Sequence, residues 1–293
     1  MVVKRGIGSY IFDFFNVVFL TLLSIICLYP FLYVVFVSFS DATQLANYSG
    51  IVFKPVGFST AAYEAVLADP DIYIGYGNTL FYVVVGTIVN IFMTCIAAYC
   101  LSRRNFFWQK PLMTMVLITM FFSGGLIPHF LVVKGVGLLN SRWSLILPTA
   151  ISTYNLMIMK NAFQGLPESI EEAAKIDGAN DLVILFKIVF PLALPTIAVI
   201  TLYYAVGHWN AWFNAMIYIQ DRELFPLQLF LREILISNST DQMMGDVATA
   251  EKEQISETIQ YATIIIATVP ILFLYPFLQK YFVKGITVGA VKG

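Results

Sequence analysis

The chain has 293 residues, 59% of them hydrophobic and only 12% charged, and its mean hydropathy is +0.78. A water-soluble domain carries about 25% charged and about 45–50% apolar residues, so this composition excludes a soluble globule and places the chain in a bilayer. The net charge of -1 offers nucleic acid no electrostatic footprint, and Cys27, Cys95 and Cys100 sit in or beside apolar runs with no metal-ligand or disulfide spacing.

Lys4 and Arg5 precede an apolar run from Phe14 to Phe39, about 26 residues. That exceeds the roughly 7–15 of a signal-peptide core, and no small-residue cleavage pattern follows, so a retained first transmembrane helix is expected. Four more runs can cross a hydrocarbon core of about 30 Å at about 1.5 Å per residue. They are Asn78–Leu101, Leu112–Val133, Leu192–Ile219 and Ile259–Phe282, with a shorter one at Trp143–Met159. The expected fold is all-α, a polytopic membrane protein with six transmembrane helices.

Loop charge sets the direction. With both termini cytoplasmic, the inner pieces hold Lys4, Arg5, Arg103, Arg104, Lys110, Lys160, Lys175, Lys187, Lys280, Lys284 and Lys292, eleven in all. The outer pieces hold six: Lys54, Lys134, Arg142, Arg222, Arg232 and Lys252. The last outer segment contains FPLQLFLREILI, where Leu227, Phe230, Leu231, Ile234 and Leu235 recur at helical spacing. One apolar face on a short helix fits either a membrane-surface helix or a cap on the bundle. Asp241, Asp246, Glu251, Glu253 and Glu257 make the same loop acidic, as a solvated face or a meeting place for an external partner.

Charges are nearly absent from the spans, which offer only His208 and, near the end of the third, His129. An ion-coupled secondary carrier needs intramembrane charge to hold its coupling ion. No inverted repeat with broken helices is visible either, so that alternative is disfavoured. The chain has no G-x-x-x-x-G-K-[ST] loop, and HEXXH, CXXC and GXSXG are missing. There are accordingly no catalytic residues and no metal site to assign. If transport is driven, the energy enters from another protein.

The polar break at 165–191 is the place where it could enter. Pro167 suits the start of a helix, and Glu168, Glu171 and Glu172 favour its positive end. Ile170, Ala173, Ala174 and Asp177 share a face, with the two alanines giving a shallow surface that another protein could approach. Gly178 ends the helix as a left-handed cap would, and Asn180 or Asp181 can cap a second helix, Leu182–Phe190, leading to Pro191. The residues alone leave two readings, a docking helix or an interfacial helix packed on its own bundle.

Glu172-Ala173-Ala174, then Gly178, then Ile188-x-Phe190-Pro191 resembles the EAA loop of the membrane subunits of ABC importers, with Phe190 in place of the usual leucine. Asp177-Gly178-Ala179 and Phe186 extend the match. Asn78-Thr79, Ala97-Ala98-Tyr99, Gly124-Gly125-Leu126-Ile127-Pro128, Gly137-Leu138-Leu139-Asn140 and the tail Tyr275–Phe282 are similar to the carbohydrate-uptake branch, and the tail to the smaller permease subunit of maltose-type transporters.

The resemblance implies a permease of the type I importer fold, with 1–76 an N-terminal span and external loop, 77–282 the permease domain and 283–293 a cytoplasmic tail. It implies that Glu171, Glu172, Ala173, Ala174, Asp177, Gly178 and Ala179 form a coupling segment against a cytoplasmic ATPase. It makes Gly289, Ala290, Val291, Lys292 and Gly293 a second contact to that ATPase. The implied partners are a second homologous permease, two ATPase subunits and an extracytoplasmic sugar-binding protein. ATP and Mg would be bound by the ATPases, and no cofactor by this chain. The implied substrates are oligosaccharides, including uronate-containing wall fragments such as alginate or pectin oligomers.

The fifth span carries the richest polar and aromatic set. Tyr203, Gly207, Asn210 and Asn214 fall at i, i+4, i+7 and i+11, with Trp209 beside them. Buried amides are costly without partners or water, and sugars need amides together with flat aromatic faces. The stripe is therefore a candidate pathway wall. The competing readings are an aromatic interface belt and amides that bond neighbouring helices. Asn90 and Asn155 are weaker candidates.

Overall fold

The computed structural model describes residues 7–103, 106–237 and 255–273, and every regular element among them is helical apart from one isolated bridge between Ser40 and Phe58. Three of the expected spans are unbroken helices, Ile7–Ser38, Pro70–Ser102 and Ile255–Phe273. The other three are each interrupted. The third divides into Gln109–Phe121 and Leu126–Gly135, the fourth into Trp143–Ile146 and Thr153–Gln164, the fifth into Leu194–Trp209 and Phe213–Tyr218. Broken helices are thus present where the sequence showed none, which corrects that expectation.

Each break has a local cause. In the third span Gly125 takes φ +86°, a conformation open to glycine. In the fourth, Pro148 lacks a backbone donor, and Ser152 then caps the next helix. In the fifth, Asn210 closes the helix and donates from Nδ2 to Val206 O at 3.0 Å.

The chain divides into two compact units, residues 1–69 with 233–269 and residues 70–232 with 270–293. In the first, the helix Ile7–Ser38 is apolar yet exposed along most of its length, as an element facing lipid or a partner must be. Its end is ordered by Ser38 Oγ and Tyr63 Oη, 2.8 Å apart, and by Phe39 stacked on Tyr63 at 4.6 Å. Tyr33 meets Tyr261 edge to face at 5.7 Å.

The second unit is built around the helix Pro70–Ser102. Its C-terminal half buries Cys95, Ala98, Tyr99 and Leu101 against Leu156, Met159 and Phe163 of the fourth span and Ile197, Ile200 and Tyr204 of the fifth. In its N-terminal half Tyr82 packs with Leu145, Ile146, Ala215 and Tyr218. Apolar contact adds little driving force in lipid, so close packing and interhelical hydrogen bonds hold such a bundle. The bonds are present: Asn78 Nδ2 donates to Glu223 O (2.6 Å), Tyr82 Oη to Leu224 O (2.8 Å) and Arg142 Nη2 to Asn78 Oδ1 (3.0 Å). The FPLQLFLREILI stretch forms the helix Leu227–Ser237, whose first amide donates to Thr79 Oγ1 at 2.9 Å. That end packs against the N-terminal half of the second span.

Candidate functional site

The interrupted backbone of the fourth span dictates what surrounds it. A break at membrane depth is tolerated only where protein or a wet cavity satisfies its polar groups. Both occur. Asn90 of the second span donates from Nδ2 to the carbonyls of Thr149 (2.7 Å) and Ala150 (2.9 Å). Tyr204 of the fifth span accepts from the amide of Ser152 at 2.9 Å and shares a 2.7 Å hydrogen bond with Thr94. His208 Nε2 meets Asn90 Oδ1 at 2.6 Å, and Gly86, inside a π-helical turn at Tyr82–Gly86, leaves the room that the ring occupies.

In front of this network lies a cavity of about 430 Å³, within the roughly 300–1,000 Å³ of small-molecule sites. Leu145, Thr149, Ser152, Tyr154 and Asn155 line it from the fourth span. Tyr203, Tyr204, Gly207, His208, Ala211 and Asn214 line it from the fifth. The rings of Tyr154 and Tyr203, both on its lining, pair at 6.3 Å between centroids. Among the described residues the lining holds amides, hydroxyls, an imidazole and aromatic faces, and no lysine, arginine or carboxylate.

Of the stripe expected on the fifth span, Tyr203, Gly207 and Asn214 line this cavity, while Asn210 and Trp209 do not. The helix stops at Trp209, so helical spacing no longer connects Asn210 to Asn214. Trp209 is buried and faces Tyr76 at 6.4 Å. Asn155 lines the cavity and Asn90 stands behind its wall. Sequence spacing gave no sign of Ser152, Tyr154 or Thr149, because their position follows from the break at Pro148.

The second candidate site is the helix Glu168–Ile176. Pro167 precedes it, Gly178 takes φ +81°, and Asn180 accepts from Val183 N at 2.9 Å to cap the helix Asp181–Leu192. That helix turns by 88° at Ala193 into the fifth span. Only Glu171 and Ala174 of the first helix are buried. Ala174 joins the inner core, so the two alanines part company: Glu172, Ala173, Ile176 (87% exposed) and Asp177 form the outward face. Ala179 is half-buried against the core.

Glu171 contacts Nη1 of Arg103 at 2.5 Å, an ion contact without the alignment of a hydrogen bond. Burial raises its carboxyl above the ordinary carboxylate range, although the cations of Arg103 and Lys175 pull the other way. The tail Gly289–Gly293, the stretch Tyr275–Phe282, the acidic residues Asp241, Asp246, Glu251 and Glu253, and the basic residues Lys4, Arg5 and Arg104 lie outside the described residues. Among the described residues no group of three or more His, Cys, Asp or Glu side chains is placed to hold a metal.

Known proteins share this architecture. Residues 90–288 match the family described as binding-protein-dependent transport system inner membrane component. The chain is 46% identical over 285 residues to the polygalacturonan/rhamnogalacturonan transport system permease protein YtcP of Bacillus subtilis (strain 168), covering 97% of this chain and 99% of that one. It is 43% identical over 283 residues to the protein LplC of the same organism, covering 97% and 95%. A chain from the crystal structure of a bacterial ABC transporter involved in the import of the acidic polysaccharide alginate superposes with a TM-score of 0.87 at 32% identity, covering 95% of this chain and 99% of that one. This chain belongs to the family of binding-protein-dependent transport system inner membrane components.

Proposed function

We propose that the chain is one permease subunit of an ATP-driven importer of acidic oligosaccharides, working with a second homologous permease, two ATPase subunits and an extracytoplasmic binding protein. Both termini lie in the cytoplasm, and ATP and Mg are bound by the ATPases. The observation that carries this reading is the outward face Glu172, Ala173, Ile176 and Asp177 on a helix that buries Glu171 and Ala174, in a chain of this family. An apolar Ile176 held out among acidic neighbours is what a partner's cleft would cover.

ATP-driven closure of the ATPases brings the two coupling helices together, and the permeases exchange an inward-open for an outward-open state. The binding protein then delivers sugar to the cavity formed by Tyr154, Asn155, Tyr203 and Asn214. Amides and hydroxyls there hydrogen-bond sugar hydroxyls or a uronate carboxylate, and the tyrosine rings stack on its flat faces. A wall without fixed cations holds an acid loosely enough to release it, as passage requires. Support for the acidic class comes from the names of the relatives: one carries polygalacturonan or rhamnogalacturonan, another alginate.

The test is to purify the chain with its partners carrying Ala173→Trp or Asp177→Arg. Loss of the ATPase from the purified complex supports the reading. Retention of the ATPase with unchanged uptake contradicts it.

A further inference from the structure

We propose that the ion pair between Arg103 and Glu171 is the tie through which the helix Glu168–Ile176 moves the second span, so that ATP hydrolysis without this pair no longer drives transport. The inference rests on reading that helix as the ATPase contact.

Nine residues make up the helix and only Glu171 and Ala174 are buried. Ala174 and the Arg103–Glu171 pair are thus its buried contacts with the core. The methyl is a smooth contact that allows sliding, whereas a part-buried charge pair resists separation of the two elements. The second ion pair nearby, Lys175 with Asp181 at 3.9 Å, has side chains 58% and 73% exposed, so water and salt screen it. Arg103 and Glu171 are 22% and 9% exposed, and their attraction is correspondingly less screened.

The far end of the tie is rigid. Arg103 closes the second span, and its guanidinium lies 4.4 Å over the ring of Tyr99 one turn earlier. The last carbonyls of that span are held as well, Leu101 O by Gln109 Nε2 (3.0 Å) and Ser102 O by Gln164 Nε2 (3.4 Å). From there one continuous helix, Pro70–Ser102, runs to Thr94 and Asn90, which hold Tyr204, His208 and the broken fourth span at the cavity. A push on this helix thus has a route to the cavity wall through the Arg103–Glu171 pair and the helix Pro70–Ser102. Both residues are positioning residues, since neither touches sugar or nucleotide.

The experiment uses the whole transporter in vesicles, with whichever of galacturonan or alginate oligomers the unaltered complex accumulates. The readout is sugar moved per ATP hydrolysed for Arg103→Glu, Glu171→Arg and the double swap. Each single reversal is expected to lower the ratio by about tenfold, the size of a typical coupling between sites, while the ATPase still co-purifies. The swap is expected to restore the ratio to within about twofold, because it re-forms the pair with opposite polarity. Should the single variants fail to assemble, a swap with the unaltered ratio supports the proposal. Unchanged ratios in the single variants overturn it, as does a swap that assembles but stays uncoupled or does not assemble. Failure of the underlying reading has a separate signature: outward-face variants such as Asp177→Arg would then keep their ATPase.

Discussion

Nε2 of His208 lies 2.6 Å from Oδ1 of Asn90, whose amide nitrogen is committed to the carbonyls of Thr149 and Ala150. An asparagine oxygen only accepts, so the imidazole donates from Nε2 and its orientation is set. One side chain of the second span therefore holds the fifth span and the broken fourth span at once. Asn90→Ala orphans all three partners at about 1–3 kcal/mol for each buried group left unpaired. The assembled transporter should melt several degrees lower and lose uptake. Asn90→Asp keeps the acceptor for His208 but loses both donations, so it should behave like the alanine variant. A melting temperature equal to that of the unaltered transporter for Asn90→Asp would count against this arrangement.

Gly86 is the counterpart of that histidine. A Cβ placed there would stand 2.5 Å from Nε2 of His208. The ring cannot yield without losing Asn90, so Gly86→Ala should destabilise by about 1–3 kcal/mol. In a His208→Ala background the same change should cost far less. A double-mutant cycle on thermal unfolding checks this, and strict additivity would contradict it.

These two residues show what was legible in the sequence and what was not. The helices of 165–191 could be read residue by residue because their signals are local: Pro167, the early glutamates, Gly178 and Asn180 act within one turn of themselves. The division of Ala173 from Ala174 could not be read, since it depends on how the helix is rolled by Glu171 reaching Arg103, a partner 68 positions away. The breaks in the spans were hidden for another reason. Hydropathy averages over about 19 residues, so Ser123–Gly125, Pro148–Ser152 and Asn210–Trp212 vanish inside apolar windows. The cavity is made by those breaks. That is why Asn214 and Asn155 lie on it, whereas Asn210, which continues the stripe on paper, does not.

The cavity wall gives a paired comparison on one span. Asn214→Ala and Tyr203→Ala remove a lining amide and a lining ring, and each should weaken apparent sugar affinity by about tenfold, the worth of one hydrogen bond or stacking contact. Asn210→Ala removes an amide that bonds Val206 O outside the lining, so uptake should change by less than about twofold. Concentration-dependent uptake in vesicles measures all three. Equal effects at Asn210 and Asn214 would contradict the assignment of the wall.

Gly178 tests the geometry of the turn after the helix Glu168–Ile176. Its φ of +81° is strained for any residue with a Cβ, although nothing lies within 4 Å of one. Gly178→Ala should cost about 1 kcal/mol of backbone strain without a steric clash. Gly178→Val should cost more, because β-branched residues rarely adopt that conformation. The expected order of ATPase-coupled uptake is therefore glycine, alanine, valine. A valine variant as active as the alanine one would show that the turn does not need this conformation.

The most direct measurement is accumulation of galacturonan or alginate oligomers in sealed vesicles holding the complete transporter, with ATP supplied on the ATPase side and the binding protein on the other. The account predicts accumulation that requires ATP and the binding protein, and that ceases when the outward face of Glu168–Ile176 is altered. Accumulation by the purified chain under an ion gradient, without ATP or its partners, would contradict it.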